Sequence, residues 1–190
     1  MNNFYIQDKL FKHNDAEPVI LQRAEYENCT FTGLHLLKAD LRDYKFTDCT
    51  FISCNLSLAI LENTSLQGIM FKDCKLQGVH FDKCNDFGLD FSFDSCILSH
   101  CSFYKKRIRD TMFNNCQMQE ADFTGTDLTN CIFNNCNLEN AIFNRTVLEK
   151  ADLHTAYNYS LDPEINRIRK AVFSAAGLAG LLGKYELIIR

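Results

Sequence analysis

Every fifth residue from Tyr26 is large and apolar: Phe31, Leu36, Leu41, Phe46, Phe51, Leu56, Leu61, Leu66, Phe71, Leu76 and Phe81. Asp86 breaks the series. After two added residues it resumes at Phe93 and runs through Leu98, Phe103, Ile108, Phe113, Met118, Phe123, Leu128, Phe133, Leu138, Phe143, Leu148 and Leu153. Of these 25 positions 22 are Leu or Phe. The chain holds 38 such residues in 190, so about five would fall there by chance.

Neither common element accounts for that spacing. Five residues rotate a helical side chain by about 140°, and on a strand an odd step alternates faces. Both would scatter the apolar set. The centres stay together only if the chain turns a corner once per five residues and winds into a tube whose axis they all face, which predicts a solenoid.

A second inward site lies two residues before each centre, where a tight coil leaves room only for a small side chain. Ala24, Ala39, Ala59, Ala121, Ala141 and Ala151 occupy it, and so do all ten cysteines: Cys29, Cys49, Cys54, Cys74, Cys84, Cys96, Cys101, Cys116, Cys131 and Cys136. Cysteines that share the phase of a repeat are packing thiols, since disulfide and zinc frameworks do not follow a repeat and no CxxC pair occurs.

Segments such as Ala39-Asp40-Leu41, Ala121-Asp122-Phe123, Cys136-Asn137-Leu138 and Ala151-Asp152-Leu153 resemble the A(D/N)LXX unit of the pentapeptide repeat family. The resemblance spans residues 24–153 and implies an all-β solenoid, a right-handed quadrilateral β-helix with four units per coil. About 25 units then make roughly six coils, on the order of 30 Å long. Exposed ends need caps. Residues 1–23, with Phe4, Ile6, Leu10 and Phe11, are the candidate N-terminal cap, and the register shifts near residues 85–92.

Residues 154–190 read as a small helical capping and dimerisation module. Asp162-Pro163-Glu164 predicts a helix start and a short helix over residues 163–169. Residues 170–173 look extended, Ser174 caps a second helix through Leu182, Gly183 ends it, and Tyr185 to Ile189 form an apolar tail with strand character. This arrangement is similar to the C-terminal module of the Qnr-like and microcin-immunity pentapeptide proteins, which implies a homodimer of rods paired end to end through Leu178, Leu181, Leu182, Tyr185, Leu187 and Ile189. The alternative is that Leu178, Leu181, Leu182, Leu187 and Ile189 are consumed in capping the last coil.

At 46% hydrophobic and 23% charged residues the chain is too apolar for disorder, and with only eight glycines and two prolines ordinary turn chemistry does not bend it. Its longest apolar stretch, residues 171–183, is too short to span a bilayer, and the N-terminus lacks the order of an export signal, so no membrane association and a cytoplasmic location are expected. No Ser/His/Asp grouping, HExxH, phosphate loop or dinucleotide fingerprint is present. The expectation is a non-enzyme with no cofactor and no metal.

The formal charge is −4, which argues against direct binding of nucleic acid. Residues 24–153 carry 12 Lys and Arg against 18 Asp and Glu, whereas residues 154–190 are net +2. Asp110, Glu120, Asp122, Asp127, Glu139, Glu149 and Asp152 form the candidate partner-binding acids, opposed only by Arg145 and Lys150. An acidic rod has a field like that of DNA. The Qnr-like resemblance implies a mimic that binds DNA gyrase or topoisomerase IV and protects it from quinolones. The alternatives are that Asp122 and Asp152 merely stabilise their turns, and that the rod is a general interaction scaffold. A basic cluster, Lys105, Lys106, Arg107 and Arg109, reads as a solvated face or a site for an acidic partner.

Overall fold

At most corners the amide of the small inward residue donates to the carbonyl of the preceding centre, as Ala39 does to Leu36 at 3.0 Å and Thr126 to Phe123 at 3.0 Å. The second of the two residues between them takes a left-handed conformation, and twenty-three of the described residues other than glycine do so, Lys38, Leu58 and Asn130 among them. Outside glycine, that conformation costs about 1–2 kcal/mol per residue. It is held here because each coil also bonds to the next, as when Lys38 N donates to Ser57 O at 2.9 Å.

This computed structural model describes residues 4–13 and 20–188, wound as a right-handed quadrilateral β-helix of about eight turns. Thirteen short strands pair in parallel. On the first face β1 (Phe4–Gln7), β3 (Ala24–Glu27), β5 (Lys45–Thr47) and β7 (Ser65–Gln67) form one sheet. On the second face β2 (Leu10–Lys12), β4 (Thr30–Thr32), β6 (Thr50–Ile52), β8 (Ile69–Lys72) and β9 (Phe91–Asp94) begin a nine-stranded sheet. It continues through β10 (Met112–Asn114), β11 (Ile132–Asn134), β12 (Asp152–Leu153) and β13 (Val172–Phe173). Isolated bridges define the third face through His35, Asn55, Lys75, Ile97, Gln117, Asn137 and Tyr157, and the fourth through Ser102, Asp122 and Ile142. Above the shift Arg107, Asp127, Val147 and Arg167 continue the first face.

Partners are twenty residues apart, Phe31 beside Phe51, except across the shift, where Phe71 meets Phe93. All 25 centres are buried. Phe11, Phe31, Phe51, Phe71, Phe93, Phe113 and Phe133 stack in one column with centroid separations of 4.6–5.3 Å. Phe81, Phe103, Phe123 and Phe143 make a second column. Phe91, absent from the repeat series, is buried in the small slot before Phe93 and packs on Phe81 and Phe103.

All ten cysteines are free and buried. Many of them donate to the carbonyl of the centre one coil back, as Cys54 does to Phe31 at 3.3 Å, where Thr126 and Thr146 donate in the same way. The slot therefore takes a small side chain, apolar as in Ala121 and Ala151 or carrying a donor that this carbonyl accepts, as in the cysteines and threonines.

The rod extends past both expected ends, which is why it has about eight turns instead of six. β1 and β2 pair with β3 and β4 and bring Ile6 and Phe11 against the core. The helix expected over residues 163–169 is absent, because Asn166 enters the small slot, donating to Phe143 O at 3.0 Å, and Arg167 bridges Val147. Ile168 and Phe173 then continue the core. The second expected helix is a 3₁₀ segment, Ala176–Leu181, and Ser174 Oγ accepts the Gly177 amide at 3.0 Å as its cap. Gly177 and Gly180 let this segment lie on Tyr159, where a Cβ would collide. A second 3₁₀ turn, Gly183–Tyr185, replaces the expected stop, and Leu187 and Ile188 form no strand. Ile189 lies outside the described residues.

Candidate functional surface

A filled tube offers its faces. A void of about 10 Å³ lined by core residues such as Phe46 and Leu76 is too small for any ligand. An open cleft of about 630 Å³ is lined by Arg23, Asp40, Arg42, Asp43 and Glu62. Four of its charges are already engaged: Arg42 grips Asp40 in two hydrogen bonds and holds that carboxyl down at about 2, and Arg23 pairs with Asp43 at 2.8 Å. No three His, Cys, Asp or Glu side chains converge on a metal-sized site among the described residues.

The coil distributes the seven candidate acids over all four faces. Glu139 lies on the third face and is exposed, Glu120 sits at the next corner 3.4 Å from His100, and Asp122 is on the fourth face. These three share one side of the rod. Asp122 also accepts the Thr124 amide at 2.8 Å, and Asp152, on the second face, accepts that of His154 at 2.8 Å, so both do stabilise their turns. Asp127 and Glu149 lie on the first face and are neutralised by Arg109 at 2.7 Å and Arg167 at 2.6 Å. Partial burial raises the Asp127 carboxyl, but the Thr129 and Arg109 hydrogen bonds outweigh it and leave it below its ordinary value. Asp110, at the edge of that face, accepts from Asn130 at 2.9 Å.

The basic cluster divides. Lys106 is buried in the small slot, and its ammonium donates to Cys84 O at 2.7 Å and to the Asp86 carboxylate one coil below. It staples the two-residue shift to the regular coil above. Arg109 is paired, and Lys105 and Arg107 remain outward. Lys106→Met, which keeps the stem, is expected to lower stability by about 1–3 kcal/mol by stranding a buried carbonyl. Asp86→Asn should stay within about 0.5 kcal/mol because that carboxylate is 84% exposed. Urea denaturation of both variants checks this, and equal losses would refute the carbonyl account.

At the C-terminal end Leu178, Tyr185, Leu187 and Ile188 are exposed, while Leu181 packs on the core and Leu182 is half-buried. Lys184 pairs with Asp162 at 2.9 Å and with Glu164 at 2.6 Å, which fixes the tail to the last coil. No helix among the described residues is long and apolar enough to cross a membrane.

The family model of a pentapeptide repeat region matches residues 19–91, and that of pentapeptide repeats in eight copies matches residues 92–130 and 121–156. No curated protein sequence matches. Among solved structures, trypsin-treated QnrB1, described as a plasmid-mediated fluoroquinolone resistance protein, is similar at 17% identity and a TM-score of 0.61, covering 100% of both chains. Full-length QnrB1 is similar at 15% identity and a TM-score of 0.54, covering 96% of this chain and 100% of that one. At such identity the likeness concerns the fold. With family models spanning residues 19–156 and every repeat centre inside the coil, the chain belongs to the pentapeptide repeat family.

Proposed function

We propose that this protein is a non-enzymatic protein-binding rod that acts in the cytoplasm, pairs end to end through its C-terminal module, and has a type II topoisomerase, DNA gyrase or topoisomerase IV, as its partner. Protection from quinolones is the expected phenotype. The observation that carries the binding reading is the solid core: the inward positions are consumed by packing, so the faces alone are free to act. The fold shared with QnrB1 directs the choice of partner. Glu120, Asp122 and Glu139 on one side of the upper coils supply the DNA-like field, and the exposed Leu178, Tyr185 and Leu187 supply the end contact. Ten free thiols fit a reducing compartment.

A supercoiling assay with added protein and ciprofloxacin tests the partner. Inhibition or protection is expected, and Glu120→Lys with Glu139→Lys should weaken the complex about tenfold at low salt while the melting temperature holds. No inhibition, no protection and no complex would leave the second reading, a scaffold for another protein. The outward Lys105, Arg107, Lys150 and Lys170 favour that second reading, since a duplex mimic has no use for them.

A further inference from the structure

The first face is bipolar. Its outward positions in the four coils below the register shift carry Asp8, Glu25, Glu27 and Asp48 against Lys45. The same positions in the four coils above carry Arg107, Arg109, Lys150, Arg167, Arg169 and Lys170 against Asp110, Asp127 and Glu149. The face is thus net −3 below and net +3 above.

Between the halves stands Phe87, 81% exposed on the shift and set over the fourth coil by the bond from Gln67 Nε2 to its carbonyl at 3.1 Å. Four coils lie on either side of it. We infer that this face docks a second copy of the chain side by side and antiparallel, about a two-fold axis through Phe87.

Such an axis reverses the rod and keeps each column opposite itself. Asp8 then meets Lys170, Tyr5 meets Arg167 and Phe87 meets its own copy, while Lys45 and Asp127, which also meet, are already paired within each copy with Glu25 and Arg109. Glu27 meets Glu149, a carboxylate that Arg167 already neutralises. The opposite net charges of the two halves draw the copies together, and Phe87 supplies an apolar contact at the axis beside Asp86, whose charge Lys106 engages. The three acids interspersed among the upper cations disfavour a phosphate backbone as the occupant. Nine rows, eight spacings of about 4.8 Å, give a face about 40 Å long and about 10 Å wide, on the order of 400 Å² per copy. That area is small, so the pairing is weak and salt-dependent. It is separate from the end-to-end contact, which is apolar.

Sedimentation equilibrium at about 50 and about 500 mM salt reads the two contacts apart. Association through the first face should weaken at least tenfold at the higher salt, whereas an apolar end contact should persist. Asp8→Lys and Lys170→Asp should each abolish the salt-sensitive step, and the double variant should restore it with reversed polarity. Both positions are exposed, left-handed corners where Lys and Asp already occur, so the fold is kept. Because every native thiol is buried, Phe87→Cys should give a disulfide-linked dimer on mild oxidation and Leu37→Cys, on the third face, should not. No salt-sensitive association, no rescue in the double variant, or a monomer that instead binds duplex DNA through Lys150 and Lys170 would each overturn the inference.

Discussion

Raising the pH from 8 to 10 is expected to unfold the protein in reducing buffer. Burial pushes the thiols of Cys84, Cys101 and Cys131 up to about 12 and raises Cys49 too, while a hydrogen bond with Cys74, with burial second, raises Cys54. In the unfolded chain the same thiols lose their protons near 8.5. Above that pH the folded state binds more protons than the unfolded one, so stability falls as pH rises. The stabilisation is complete below about 8.5 and is withdrawn between there and about 12. Three thiols alone remove about 4 kcal/mol by pH 9.5 and about 6 kcal/mol by pH 10. A domain is stable by roughly 5–15 kcal/mol in total, so a transition near pH 10 follows.

Thermal melts by circular dichroism from pH 7 to 10.5 check the prediction. Cys101→Thr with Cys131→Thr keeps a donor in each slot, as Thr126 and Thr146 do, and removes two titrating groups. The alkaline slope should drop by about two protons. A melting temperature that stays level to pH 10, or a slope unchanged in the double variant, would sink the account.

Replacing Phe113 with alanine is expected to be the most damaging single substitution in the middle of the rod. The ring is fully buried and stacks on Phe93 at 5.3 Å and on Phe133 at 4.9 Å. Truncation forfeits about 3–5 kcal/mol through lost transfer energy and an unfilled cavity. Coils contact only their neighbours, so the loss falls on the coils containing Phe93, Phe113 and Phe133 and divides the rod there. Hydrogen exchange should show those coils losing protection before the coils around Phe31 and Phe51. Phe113→Leu, apolar and nearer in volume, should cost about 1–2 kcal/mol. Uniform loss of protection along the whole rod would refute the nearest-neighbour picture.

The core was legible because its signal is repeated: Leu and Phe at every fifth position, Cys and Ala two residues earlier. The ends were less so. Counting back from Tyr26 meets Leu21, then Ala16 breaks the series before Phe11 and Ile6 resume it. Counting on from Leu153 meets Asn158 and Pro163 before Ile168 and Phe173. One or two poor centres hid coils that backbone pairing nevertheless completes, because the inter-coil bonds of Leu138 N to Tyr157 O and of Val172 N to Ala151 O need no particular side chain. Asp162 followed by Pro163 satisfied the local rule for a helix start, yet the packing of Asn166 in the coil prevailed.

The surface was hardest to read. Lys106 sits in a run of four basic residues in the sequence, but the coil turns it inward to Cys84 and Asp86, which are 22 and 20 residues earlier. The acids from Asp110 to Asp152 are neighbours along the chain and are dealt to different faces by a five-residue step. Arg107 and Arg167, sixty residues apart, share one column.

Sequence alone determined the inward side of this protein, since burial imposes the same size and polarity on every coil and so writes itself as a period. Tertiary structure decided the outward side. Which charges meet depends on a register of twenty residues, offset by two at Phe87, and nothing at a single position records that sum.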